Sequence, residues 1–374
     1  YPMFPAGLGS DPWGTDRFTE LLARIQPDIV VIQNDPWNIA DQLQRVPALK
    51  EHRTVGLLPL DGNNCASAAG LNGLAHAIWY TEHARAEGHR GGYQGTSAAI
   101  NLGVDRRIYR PQDQAAARAR FGLDRKLPEG AFIALNVNRN QPRKRIDLTI
   151  ELFAAWVHRE QIQDAWLYLH LAPTGDLGWN VGQLARYHGI DQRVIISSKV
   201  KANAGLPEEG VAALYAASDV CLSTTLGEGF GLTTLEAMAC ERATLFPAWS
   251  ALGEWAAPAG VAVRRAGTRA TPNLGMTELP INTIGGVVDG EQFIAALDTL
   301  YRDKEYRRRV AARGLSLAQE PRFEWGDIGR RFARELELVL SRRPGDASHD
   351  DPEESTGPTE ADARLRDEAT SLSQ

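Results

Sequence analysis

A chain of 374 residues is too long for one comfortable compact domain and suits two. It is 43% apolar, an ordinary globular value, and no apolar run approaches the length needed to cross a bilayer. A net charge of -6 weighs against nucleic acid as the main partner, because a phosphate backbone calls for a basic face.

The chain begins Tyr1-Pro2-Met3, and nothing before Asp28 is strand-like, so the expectation is that the natural N-terminus lies outside it. Thr15 to Arg24 reads as a helix, followed by the apolar run Ile29 to Ile32. Asn34 and Asp35 come directly after that run, where an open parallel sheet lines its ligand crevice. Asp before Pro is equally a turn or a helix start. Thr54 to Leu58, Ala77 to Tyr80 and Ala98 to Ile100 are further short strands, with a helix from about Thr81. His76 adjoins an apolar run and reads as a satisfied, partly buried side chain, whereas His83 lies in a polar helical stretch and reads as surface.

A looser stretch with one helix, about Asp113 to Phe121, leads to a second series. Its strands are Phe132 to Asn136, Trp166 to Leu169, Val194 to Ile196, Val220 to Leu222, Ala243 to Phe246 and Val261 to Val263. Helices are expected from Lys144, over Val181 to Tyr187 and over Pro207 to Ala217. Alternation of this kind specifies an α/β fold with parallel sheets. Arg264 to Thr283 reads as a long irregular loop or lid, followed by helices over Asp289 to Tyr301, Asp303 to Leu317 and Trp325 to Leu340. The expected division is 1–108, 109–322, a last helix over 323–340 and a disordered tail over 341–374. Cys65, Cys221 and Cys240 are odd in number and flanked by apolar residues, which fits buried thiols in a reducing compartment.

Two stretches carry chemistry. In the first, Ser223 to Cys240, an apolar run leads through Glu228-Gly229-Phe230-Gly231 into a helix that contains Glu236. The first turn of such a helix has unpaired N–H groups that can receive phosphate, and glycines let the backbone approach a ligand. Carboxylates attract hydroxyls and repel phosphate, so Glu228 and Glu236 fit a ligand with sugars on both sides of a diphosphate. In the second, Asn136 to Asp147, a strand stops at polar residues and Arg143-Lys144-Arg145 open a helix. Cations oppose the dipole at a helix start, and a bound diphosphate would reverse that sign.

Glu228-Gly229-Phe230-Gly231-x4-Glu236 resembles the Glu-x7-Glu signature of the retaining glycosyltransferases of family 4. Arg139 and Lys144, five positions apart, resemble that family's Arg and Lys after the first strand of the second domain. Ser218-Asp219-Val220 and Phe323-Glu324-Trp325 are similar to it as well. The resemblance runs from about Thr15 through Leu340. It implies a GT-B type fold: two facing Rossmann-like domains, with a C-terminal helix crossing back onto the first. It also implies that Arg139 and Lys144 grip the donor diphosphate, that Glu228 binds the donor sugar's hydroxyls and that Glu236 binds the ribose. The N–H groups near Phe230, Gly231 and Leu232 would face the sugar and phosphates, and Lys199 would stand near the base.

Two departures accompany the resemblance. The Gly-rich loop expected after a first strand is not found, and Leu58-Pro59-Leu60-Asp61 stands where many members carry a His, so Asp61 would take its place. The implied activity is transfer of a hexose-type sugar from a nucleotide diphosphate donor to an acceptor hydroxyl, with retention, in glycan, cell-envelope or glycoconjugate synthesis. No carboxylate stands out as a nucleophile, which favours a same-face route over double displacement. No Asp-x-Asp follows a strand and no His/Cys cluster has metal-ligand spacing, so no tightly bound cofactor or metal is expected. The expected partners are a UDP-, GDP- or ADP-linked sugar and an acceptor, without nucleic acid, in the cytoplasm or peripherally at the inner membrane face. Two alternatives stand beside this: a nucleotide-sugar epimerase or hydrolase of the same plan, and a non-catalytic nucleotide-sugar-binding protein.

Overall fold

The two series of short apolar runs form two parallel sheets. The computed structural model describes residue 3 and residues 14–174, 176–197, 205–272 and 281–342. In the first part, α1 (Thr15–Ile25) precedes β1 (Val30–Gln33), α2 (Pro36–Arg45), α3 (Ala48–Glu51), β2 (Thr54–Leu58), β3 (His76–Trp79), α4 (Glu82–Arg90) and β4 (Ser97–Ala99). These strands pair in parallel in the order β1-β2-β3-β4. The Pro36 segment is therefore a helix start: Pro occupies its first turn, where a missing N–H costs nothing. Thr81 caps α4, its hydroxyl accepting from Ala84 N–H at 3.1 Å.

The second part contains α5 (Gln114–Arg120), α6 (Leu123–Lys126), β5 (Phe132–Val137), α7 (Ile146–Arg159), β6 (Ala165–His170), α8 (Val181–Tyr187), β7 (Val194–Ile196), α9 (Glu208–Ala217), β8 (Val220–Leu222), α10 (Leu232–Ala239), β9 (Ala243–Pro247) and β10 (Val261–Val263). Six strands pair in parallel in the order β10-β9-β8-β5-β6-β7. The five residues Phe132 to Asn136 of β5 are buried, as a strand covered on both faces must be. Ile146, Ile150, Phe153 and Val157 of α7 form one apolar face in the core beneath this sheet.

Arg264 to Thr283 differs from its reading as an irregular loop. Beyond β10 the chain forms β11 (Arg265–Pro272) and β12 (Ile281–Val288), an antiparallel hairpin. Its β12 strand bridges to the first part: Asn63 and Ile284 exchange both backbone hydrogen bonds, at 3.0 and 2.8 Å. The other strand, β11, is exposed from Arg265 to Ala270, which is why no apolar alternation marks it.

After α11 (Gly290–Arg302) and α12 (Lys304–Ala318), α13 (Trp325–Ser341) returns to the first sheet. There Ile328 and Val339 share a buried cluster with Val55, Ile78 and Ile100. Polar contacts hold the same crossing: Val104 N–H donates to Phe323 O at 3.1 Å, and His76 Nε2 lies 3.2 Å from Glu335 Oε2. His76 is thus a buried structural side chain, its Nδ1 2.9 Å from Thr96 Oγ1. Cys65, Cys221 and Cys240 are buried and unbridged. The described residues include no helix long and apolar enough to cross a membrane.

Candidate active site between the two sheets

β5 ends at Val137, and the chain after it carries Arg139 and the three cations Arg143, Lys144 and Arg145. These cations precede α7 and do not form its first turn as the sequence suggested. A short 3-10 turn spans Pro142–Lys144, Arg145 takes a left-handed conformation (φ 49°), and α7 starts at Ile146. Its first turn carries Asp147, which satisfies the ordinary dipole preference and pairs with Arg145 at 3.0 Å. Arg145 is thereby committed locally, which leaves Arg143 and Lys144 to pair with carboxylates of other loops.

The loop after β8 meets them directly. Leu226 N–H donates to Arg143 O at 2.9 Å, and Thr224 Oγ1 donates to Arg145 O at 2.7 Å. These backbone ties place Lys144 Nζ 2.5 Å from Glu228 Oε1, with the two side chains only 12% and 10% exposed. Arg143 donates to the Gly227 carbonyl, and its Nη1 lies 3.4 Å from Glu228 Oε2. From the first sheet, Asp61 Oδ2 approaches Arg143 Nε to 2.9 Å, closing an ionic cluster across the two sheets. A Cβ at Gly227 would collide with the Asp61 carbonyl oxygen, so the approach of the two loops requires glycine.

Burial pushes the Glu228 carboxyl up, but Lys144 and then Arg143 outweigh it and hold its pKa below the usual value. Asp61 ends in the opposite state: desolvation and the nearby Glu228 charge raise it, against the opposing pull of Arg143. Asp35, at the end of β1, is raised by desolvation and then by Asp61, with Arg143 opposing. The reading of Asp35 from its position after a strand thus lands beside the cluster.

Gly231 takes φ 94° as the residue before α10, a backbone that side chains rarely adopt, and a Cβ there would lie 2.5 Å from Leu252 Cδ2. This turn presents the N-terminus of α10, whose leading N–H groups lack helical acceptors. Leu232, at its start, is 38% exposed. Phe230 is buried, stacked on Trp255 with centroids 5.1 Å apart, so only its backbone is available to a ligand. Glu236 lies one turn along, accepting from Tyr215 Oη at 2.8 Å, and burial raises its pKa to about 7 against the hydrogen bonds of Tyr215 and Tyr109.

The structure brings Lys144, Glu228 and Asp61 together, with Gly231 and Leu232 opening the adjoining helix. It does not bring Arg139 to them: that side chain is 64% exposed and pairs at 3.1 Å with Asp176, whose side chain is 4% exposed. Lys199 lies outside the described residues, as does the tail from Arg343. His83 differs from its surface reading. Its ring stands 6.1 Å from that of Trp249, its backbone N–H donates to Glu254 Oε2 at 2.6 Å, and Nε2 is buried without a hydrogen-bond partner. Burial holds its pKa below the ordinary value, against a hydrogen bond to the Gly62 backbone. In the sequence Arg143 is only one of three cations; its link to Asp61 has no sequence signal, since the two residues lie in loops that follow strands of different sheets. Among the described residues no group of three or more His, Cys, Asp or Glu could hold a metal ion.

Residues 131–264 match the family model of the glycosyl transferases group 1. A D-inositol 3-phosphate glycosyltransferase from Kribbella flavida is 33% identical over 146 residues, covering 38% of this chain and 32% of that protein. Its counterpart from Frankia alni is 28% identical over 239 residues, covering 64% and 52%. The matches therefore span from about a third to about half of these relatives' lengths. Among solved structures, a sucrose-phosphate synthase from Thermosynechococcus elongatus superposes with a TM-score of 0.68 at 18% identity, covering 87% of this chain and 77% of that one. Anabaena HepE in complex with UDP-glucose gives 0.64 at 14% identity, covering 90% and 84%. The molecule has a GT-B fold, two facing Rossmann-like domains with a returning C-terminal helix, and its segment 131–264 matches the group 1 glycosyl transferases.

Proposed function

We propose that the chain is a retaining glycosyltransferase that moves a sugar from a nucleotide diphosphate donor to an acceptor hydroxyl. The observation that carries this reading is the meeting of Lys144 with the Glu228–Gly231 turn in the cleft between the two sheets. That arrangement gives a diphosphate a buried cation on one side and the N-terminus of α10 on the other. The family match over residues 131–264 and the UDP-glucose complex of Anabaena HepE support the same class of ligand.

In this reading Lys144 neutralises the diphosphate as it departs, and Arg139, on the exposed loop before it, joins only by leaving its pair with Asp176. Glu228 accepts from the donor sugar's hydroxyls, and Glu236 accepts from the ribose. The acceptor oxygen bonds to the anomeric carbon as the bond from that carbon to the diphosphate oxygen breaks. The acceptor's proton passes to the departing phosphate oxygen on the same face. Preorganised positive charge aimed at the leaving group commonly lowers the barrier of such a step more than any other single effect. Asp61, on the first-domain side, orients the acceptor hydroxyl in this reading. D-inositol 3-phosphate, which the names of the relatives carry, is one acceptor to try.

A transfer assay with UDP-, GDP- and ADP-sugars, read by nucleoside diphosphate release with and without acceptor, tests the reading. Acceptor-dependent release is the expected result, and Lys144→Ala should lower turnover by a factor of roughly 100 or more, on the order of what one oxyanion donor contributes. Release independent of acceptor would point instead to a hydrolase or epimerase. Unchanged turnover in Lys144→Ala would remove its role.

A further inference from the structure

If the cleft receives a diphosphate, as the donor reading has it, the ionic cluster offers that ligand a second cation. Three carboxylates, Asp35, Asp61 and Glu228, surround two cations, Arg143 and Lys144. The cluster is therefore one charge negative when all five are ionised, and both cations already have partners. A diphosphate entering this space gains the Arg143 charge only if a carboxylate gives it up. Glu228 is held by Lys144 at 2.5 Å and has a backbone anchor in Ser250 Oγ, which accepts from Glu228 N–H at 3.0 Å. Asp61 pairs with Arg143 and accepts from the Gly229 backbone N–H, without the 2.5 Å Lys144 contact that holds Glu228, and it belongs to the other domain, so it is the carboxylate that can yield. The guanidinium is a fork suited to carboxylate and phosphate alike, and its side chain remains 23% exposed.

We infer that Arg143 is a phosphate ligand of this site and that Asp61 is its internal competitor. The Asp61 carboxylate, 2.9 Å from Arg143 Nε, occupies the guanidinium edge that a donor phosphate would take. Arg139 keeps its own role on the neighbouring loop, and Arg143 acts in addition to it. Donor affinity is then set partly by how firmly the first domain holds Arg143, which couples binding to the approach of the two sheets.

Calorimetric titration of the full chain with UDP and with inorganic pyrophosphate tests this, using Arg143→Met, Asp61→Asn, their combination and Lys144→Ala. Asp61→Asn should bind pyrophosphate roughly tenfold more tightly, and Arg143→Met roughly tenfold more weakly, the usual scale of one charge-assisted pair. In the double variant the gain from Asp61→Asn should vanish, because there is no guanidinium left to release. A merely structural role for Asp61 would weaken binding or leave it unchanged, and either result in a folded Asp61→Asn protein overturns the inference. Should that variant fail to fold, an unaltered pyrophosphate affinity in Arg143→Met overturns it instead. Binding that Lys144→Ala abolishes and Arg143→Met preserves would sink this inference and leave the donor reading standing. No binding of UDP, GDP or ADP by the parent would overturn both.

Discussion

Glu236 carries its carboxyl one turn inside α10, where burial raises its pKa to about 7 and Tyr215 supplies a hydrogen bond at 2.8 Å. A folded-state value above the unfolded one means that the folded molecule binds the extra proton. The associated stability is complete below the unfolded pKa of 4.5 and is lost as pH rises through about 7. Partial exposure reduces the full linkage value, leaving about 2 kcal/mol lost between pH 4.5 and about 7. Melting curves should show the parent losing that stability across this interval and Glu236→Gln losing much less. Parallel curves would mean that the carboxyl titrates normally. Glu236 and Glu228 are legible in the sequence because their spacing is local and the turn between them is glycine-bearing. Asp61 is legible only through resemblance, and its pairing with Arg143 depends on a tertiary approach that no local pattern encodes.

At the level of elements, the turn into α10 depends on the φ of 94° at Gly231 and on the absence of a Cβ against Leu252. Gly231→Ala should cost about 1–3 kcal/mol of stability in chemical denaturation and weaken nucleoside diphosphate binding, because the leading N–H groups of α10 move with it. A variant equal to the parent on both counts would show that the turn tolerates an ordinary backbone. Both sheets are readable from the sequence, since strands buried on both faces appear as plain apolar runs. The β11–β12 hairpin is not, and the reason is physical. β11 is exposed from Arg265 to Ala270 and carries no alternation, while β12 packs through Gly285 and Gly286 against Leu226 and Trp249. Backbone pairing and close glycine contacts leave almost no trace in hydrophobic pattern. The same hairpin fastens two site loops, bonding Asn63 on one side and Leu226 on the other, with Gly286 N–H donating to Leu226 O at 2.8 Å. Helix α7 starts at Ile146, just beyond the cations that the sequence reading puts at its opening, because Arg145 adopts a left-handed conformation that favours glycine and that its side chain does not announce.

Over the whole molecule, α13 ties the end of the chain to the first sheet, the hairpin bridges to Asn63, and Arg143 reaches Asp61. These three links set how closely the two domains approach, and so set the width of the groove in which Lys144 meets the Glu228 turn. The chemistry assigned to that groove requires one nucleotide to touch both walls of it. A crystal structure of the chain with bound UDP examines this directly. The account predicts a diphosphate within hydrogen-bonding distance of Lys144 Nζ and of the backbone N–H groups at Gly231 and Leu232, with the ribose toward Glu236. Ordered nucleotide elsewhere on the surface, with Lys144 still paired only to Glu228, would contradict it.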